Sequence, residues 1–142
     1  MPPRMTIAQI DELLTQHFPD FRKIGTITSL GDRDLALTMP FRPSLARAGG
    51  TISGPALMLL ADTAAYFLVL AHCGPVVGAA TSSLDIHFLA RPALADVHAT
   101  ATLLRLGKKL VVSRVEMRSA TREDIVAHAT VTYALPSAPD PA

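Results

Sequence analysis

One carboxylate stands alone in the most apolar stretch of this chain. Residues 51–74 read TISGPALMLLADTAAYFLVLAHCG, and Asp62 is the only acidic residue among them. A helix that is apolar all round is buried. An ionised Asp is almost never fully buried without a partner, because stripping water from the charge is expensive. Asp62 therefore needs a reason, and proton transfer is one. The start of the same helix offers a second chemical group. Ser53 or Gly54 can cap it and Pro55 suits its first turn. That leaves backbone N–H near Gly54 free for a developing negative charge. An oxyanion donor and a carboxylate thus lie two helical turns apart. The competing reading is a structural Asp bonded to a hydroxyl or to the backbone of another subunit. The helix alone does not choose between them.

Other reactive side chains carry weaker signals. Thr63 beside Asp62 can orient the carboxylate, although a Thr inside a helix usually bonds a preceding carbonyl. Ser82 and Ser83 open a strand and can hold a water or an acyl carbonyl, or serve as ordinary strand hydroxyls. The five histidines show no metal-ligand spacing, and Asp85 with His87 reads as a solvated strand face, so no metal is expected. Cys73 is the only cysteine, which excludes an internal disulfide. At a helix end, with no oriented base, it reads as inert packing. No glycine-rich phosphate loop is present, and no cofactor is expected.

The elements that must position these groups follow from periodicity. The length of 142 residues suits one domain over 1–136, with Ser137 to Ala142 as a disordered tail. Thr6 to His17 reads as an amphipathic helix. Phe21 to Leu30 and Asp34 to Met39 read as strands joined at Gly31-Asp32-Arg33, and Pro40 to Gly50 as a loop. Beyond Gly74-Pro75 the period becomes two. Leu84, Ile86 and Phe88 share a face with Ser82. Val97, Ala99, Ala101 and Leu103 form a second such face, Ser113, Val115 and Met117 a third, and Ala127, Ala129, Val131 and Tyr133 a fourth. These are half-buried antiparallel strands, and their alanines let a helix lie close. The fold class is α+β: an antiparallel sheet wrapped around one long buried helix.

Composition narrows the partners. Hydrophobic residues make up 49% and mean hydropathy is +0.33, so part of the surface is expected to be buried between subunits. A net charge of +1 without a basic block argues against nucleic acid. Asp62 in the middle of the apolar helix argues against a membrane span. The N-terminal segment lacks the apolar core of a signal peptide, and with a single cysteine the expected location is the cytoplasm.

G-P-x-x-x-L-x-A-D-T-A from Gly54 to Ala64, L-D-I-H-F-L-A-R-P from Leu84 to Pro92 and the Leu106-Gly107-Lys108-Lys109 turn, in this element order, resemble the hotdog fold. More narrowly they resemble the PaaI-type acyl-CoA thioesterases, over roughly Ile24 to Leu135. In that family a His-Gly-Gly triplet precedes the helix, and the catalytic Asp or Glu lies eight residues after the first Gly. Ser53-Gly54-Pro55 stands there in this chain, so the first Gly is kept and Asp62 falls in register. The resemblance implies that the Gly54 N–H polarises a thioester carbonyl while Asp62 acts as general base or nucleophile. It implies that Ser53, Thr63, Ser82 and Ser83 contact substrate. Coenzyme A phosphates would meet Arg91, Lys108 and Lys109. It also implies a homodimer or dimer of dimers in which residues 80–89 pair with their copy, with Gly54 and Asp62 supplied by opposite chains. The acyl group is expected to be small or medium, aliphatic or aromatic. The loss of the His keeps a second reading open, a non-catalytic acyl-CoA-binding module. A hotdog dehydratase would need a His paired with the carboxylate, and His72 lies ten residues from Asp62.

Overall fold

Residues 2–137 are described by a computed structural model. They form α1 (Ile7–His17), α2 (Pro19–Arg22), β1 (Thr26–Leu30), β2 (Asp34–Met39), a 3-10 turn (Pro43–Leu45), β3 (Ala46–Arg47), β4 (Thr51–Ile52), α3 (Gly54–Cys73), β5 (Ala80–Phe88), β6 (Val97–Leu106), β7 (Leu110–Ser119) and β8 (Ile125–Ala134). The expected tail, apart from Ser137, lies outside these residues.

The central helix is bounded by local chemistry. Ser53 is extended (φ −70°, ψ 153°) and its hydroxyl accepts from the Ala56 N–H at 3.2 Å. Pro55 sits in the first turn, where its missing N–H costs nothing. At the other end Gly74 adopts φ +92°, a conformation disfavoured for side chains, and its N–H reaches the Leu70 carbonyl at 3.0 Å. By length and hydropathy α3 would pass for a membrane span, yet 78% of its most apolar window is buried in the protein.

What buries it is one six-stranded antiparallel sheet in the order β1-β2-β6-β7-β8-β5. The inner faces are the expected ones: Val97, Ala99, Ala101 and Leu103 on β6, Ser113, Val115 and Met117 on β7, and Ala127, Ala129, Val131 and Tyr133 on β8 are all buried. Alanines at full burial on β6 and β8 remove bulk beneath the helix, so its larger side chains, Leu60, Phe67 and Leu68, fill the gap. This is the hotdog arrangement, a sheet curled round a single helix.

Two local features depart from the periodic reading. The segment from Phe21 does not begin a strand. Pro19 starts the short helix α2 and the strand begins only at Thr26, after Gly25, where a Cβ would lie 2.7 Å from the Thr38 carbonyl oxygen. The loop 40–50 contains the small β3 arm, paired with β4 by Ala46↔Ile52 and Arg47↔Thr51. At the far end of α3, His72 is buried and its Nε2 lies 2.9 Å from the Asp32 carbonyl, tying the β1–β2 turn to the helix.

β5 is an edge strand, and it leaves part of α3 uncovered. From Thr63 to His72 every helical residue is buried, but Pro55, Met58 and Leu59 are exposed and Gly54 and Asp62 are half-buried. Gly54, Met58 and Asp62 are spaced by four and lie on one stripe. Beside it Phe88 and Leu89 are 52% and 60% exposed. The Phe88 ring comes within 3.4 Å of where a Gly54 Cβ would stand.

Candidate active site

Asp62 sits half-buried at one wall of a cavity of about 270 Å3. Two hydroxyls converge on one of its oxygens. Thr81 Oγ1 donates to Oδ1 at 2.7 Å, and the Tyr133 hydroxyl donates to the same atom at 2.7 Å while lying 3.1 Å from the Asp62 main-chain oxygen. Burial pushes the Tyr133 phenol far above its ordinary value. The Thr81 hydroxyl partly opposes this, and the carboxylate itself reinforces it. Tyr133 is therefore a phenol, and a donor, throughout the working pH range.

The rest of the cavity is aromatic. Phe18, Phe21, Tyr66 and Tyr133 line it, with Val77 and Ala79 between them. The Phe18 ring meets Phe21 at 5.5 Å and Tyr66 edge-on at 6.1 Å, and Tyr66 lies 5.7 Å from Tyr133. Such offsets are the favourable ones for aromatic pairs. The Tyr66 hydroxyl donates to the Val77 carbonyl at 2.9 Å, which fixes the ring as a wall. Phe67, by contrast, is fully in the core and is not part of the cavity lining.

The start of α3 forms a separate place. Of its first N–H groups, Ala56 is bonded by the Ser53 hydroxyl, Leu57 by the Ser53 carbonyl, and Pro55 has none. Among the described residues this leaves Gly54 as the open donor, as helix ends require of their first turn. Gly54 lines a cavity of about 370 Å3 together with Arg47, Thr51, Phe88 and Arg91. At 1.5 Å per residue, eight residues put Gly54 about 12 Å from Asp62 along the axis.

The sequence-derived candidates thus separate. Asp62 and Thr63 line the aromatic cavity, but the Thr63 hydroxyl donates back to the Leu59 carbonyl at 2.7 Å. The Ser53 hydroxyl accepts from the Ala56 N–H as the helix cap. Ser82 and Ser83 are exposed, and the hydroxyl on the carboxylate comes from Thr81 instead. Arg91 stands with Gly54, whereas the exposed Lys108 lines a third cavity beside Arg4 and Cys73. In that turn the Gly107 N–H bonds the Leu110 carbonyl at 2.9 Å, and a Cβ on Gly107 would clash with that oxygen at 2.8 Å. Burial raises the Cys73 thiol above its ordinary value, with Arg4 opposing, which keeps it a poor nucleophile. Asp85 and His87 stand 3.8 Å apart on an exposed face. Thr81, Tyr133, Phe18 and Phe21 are the residues that sequence reasoning missed. Tyr133 was legible as an inward strand residue, but nothing local says that it meets Asp62.

A family model described as the thioesterase superfamily matches residues 49–126, from the loop before α3 into β8. The chain belongs to that superfamily. Among solved structures it is similar to a protein of Silicibacter sp. TM1040 that is provisionally named a thioesterase. The two share 31% identity and a TM-score of 0.85, over 96% of this chain and 95% of that one. It shares its fold with zebra fish thioesterase superfamily member 2 (16% identity, TM-score 0.79, 93% and 99% covered). The same holds for a thioesterase of Haemophilus influenzae (17% identity, TM-score 0.78, 93% and 91% covered). No curated protein sequence matches the chain. Superfamily membership supports thioester hydrolysis as the chemistry.

Proposed function

We propose that this superfamily member is a PaaI-type acyl-CoA thioesterase acting on a small or medium acyl group, with aromatic acyl groups preferred. The observation that carries the reading is Asp62, a carboxylate at the wall of a cavity lined by four aromatic rings. A flat acyl group would stack edge or face against these rings. A long alkyl chain would overfill about 270 Å3.

In the proposed reaction Asp62 takes a proton from water as the water oxygen bonds to the thioester carbonyl carbon. The carbonyl oxygen becomes an oxyanion held by the Gly54 N–H. Collapse breaks the C–S bond and releases free acid and coenzyme A, whose sulfur takes up the proton. Attack by Asp62 itself, through an anhydride, is the alternative path to the same products. Thiolate is a good leaving group, so one base and one donor suffice.

The separation of about 12 Å between Gly54 and Asp62 is too long for both to touch one carbonyl group. A homodimer resolves it. The free edge of β5, exposed Phe88 and Leu89, and the Met58–Leu59 stripe together suit a second copy. Pairing of β5 across a two-fold axis would bring Gly54 of one subunit to Asp62 of the other. Arg91 would then approach from the Gly54 side and Lys108 and Lys109 from the Asp62 side, forming a rim for the coenzyme A phosphates. We infer cytoplasmic residence from the single cysteine.

Exposed lysines act on phosphate as screened point charges, so they aid capture more than chemistry. Lys108→Ala with Lys109→Ala is expected to raise KM for an acyl-CoA several-fold with kcat nearly unchanged. A short thioester lacking the nucleotide should be indifferent. Equal loss of kcat on both substrates would give the lysines a structural role instead.

The reading as a whole is tested with a panel of acyl-CoA thioesters from acetyl to palmitoyl, with benzoyl and phenylacetyl among them. The aromatic thioesters should give the highest kcat/KM and palmitoyl the lowest. Binding of all without hydrolysis of any would favour the non-catalytic acyl-CoA-binding module, which Ser53 in place of the family's His makes the second reading.

A further inference from the structure

We infer that Tyr133 and Thr81 are positioning residues, a cross-strand pair that pins Oδ1 of Asp62 and leaves Oδ2 as the oxygen that faces the reacting centre. The inference rests on the proposed catalytic role of Asp62 and adds what makes that role geometrically possible.

Thr81 on β5 and Tyr133 on β8 are direct register partners. Residues in that relation have neighbouring side chains on one face of the sheet. Both donate to the same atom at 2.7 Å, so Oδ1 is doubly occupied. No described hydrogen bond reaches Oδ2. The Tyr133 hydroxyl also stands 3.1 Å from the Asp62 main-chain oxygen. One phenol thus spans the side chain and backbone of the same residue, which fixes the rotamer of the carboxylate.

Thr81 reaches this place through an irregularity. Leu84 pairs with Val131 and Ile86 with Ala129, so strict alternation would turn Ser82 inward and Thr81 outward. The ladder slips between Thr81 and Ser83, where Thr132 follows Tyr133 directly while Ser82 is left as the extra residue. Such a bulge reverses the phase of the strand and re-aims a side chain. Here it puts Thr81 on the helix side, opposite Tyr133. Tyr133 itself is 4% exposed, its ring packed against Tyr66, and cannot follow the carboxylate if that moves. Charge-assisted O–H···O⁻ bonds of this length are strong ones. Rigid support of this kind is what a base needs to hold its free oxygen toward a bound water.

A merely structural contact would predict lost stability with intact catalysis. The positioning role predicts the reverse. Tyr133→Phe keeps the ring and removes only the donor, so kcat on the best thioester should fall about 10-fold with KM unchanged and little change in melting temperature. Thr81→Val should also lower kcat, and Thr81→Ser, which restores a hydroxyl, should recover several-fold of that loss. Made in an Asp62→Asn background, Tyr133→Phe should cost less than about twofold, because it acts through the carboxylate. The inference is overturned if Tyr133→Phe leaves kcat within about twofold while Asp62→Asn abolishes turnover, or if the two losses multiply. It is equally overturned if Thr81→Ser behaves like Thr81→Val. Should Tyr133→Phe fail to fold, the two Thr81 variants on the exposed strand decide the matter. If Asp62→Asn itself stays active, the proposed catalytic base is wrong and the positioning role falls with it.

Discussion

Asp62→Asn is expected to lower thioester turnover by about 10²-fold or more while the protein folds normally. The amide keeps the shape of the carboxylate and can still accept at its oxygen from Thr81 and Tyr133, so both contacts on Oδ1 survive. What it loses is basicity. A water beside the amide would have no proton acceptor, and an amide cannot attack the acyl carbon either, so the substitution tests the base and nucleophile paths together. The residue is half-buried at a cavity wall and its replacement keeps both hydrogen bonds, so thermal unfolding should shift little. Single-turnover hydrolysis of the best acyl-CoA, with the melting temperature as control, makes the measurement. Near-normal turnover of a folded variant would return Asp62 to the structural role that its helix context alone equally allowed.

The fold was legible because its signals repeat. Alternation on β6, β7 and β8 is long and clean, and the buried residues are the ones with the expected parity. The helix was marked at both ends by Ser53-Gly54-Pro55 and Gly74-Pro75. Asp62 was legible for a complementary reason, since a charge in an apolar run violates the local rule. The parts that were not legible depend on contacts between distant residues. A bulge leaves no local signature in Thr81-Ser82-Ser83, so nothing in the sequence marks Thr81 as the hydroxyl that meets Asp62. Tyr133 and Asp62 are 71 positions apart, and only the folding of the sheet around the helix brings them together. Phe18 and Phe21 reach the cavity because Pro19 bends the chain into α2, where the apolar pattern suggested the start of a strand. The lysine turn and Arg91 were read as one rim, yet within a single chain they line different cavities. Gly54 and Asp62 are eight residues apart on one helix, and the proposed second subunit would close both gaps.

The composite site can be tested directly with mixed dimers. Gly54→Pro removes the open N–H and little else. Ser53 already has the extended conformation that precedes a proline, and the first helical position accepts one. A new Cβ there would make ordinary contact with the Phe88 ring at 3.4 Å. Loss of one oxyanion donor is expected to cost about 10²-fold in kcat, so Gly54→Pro and Asp62→Asn homodimers should both be nearly inactive. In a dimer with one subunit of each kind, isolated through two different affinity tags, the two lesions fall in one shared site and leave the other intact. The account predicts that this mixed dimer recovers about half of wild-type turnover. A pure mixed dimer as inactive as its parents would contradict it, as would full activity in a protein that is monomeric at micromolar concentration.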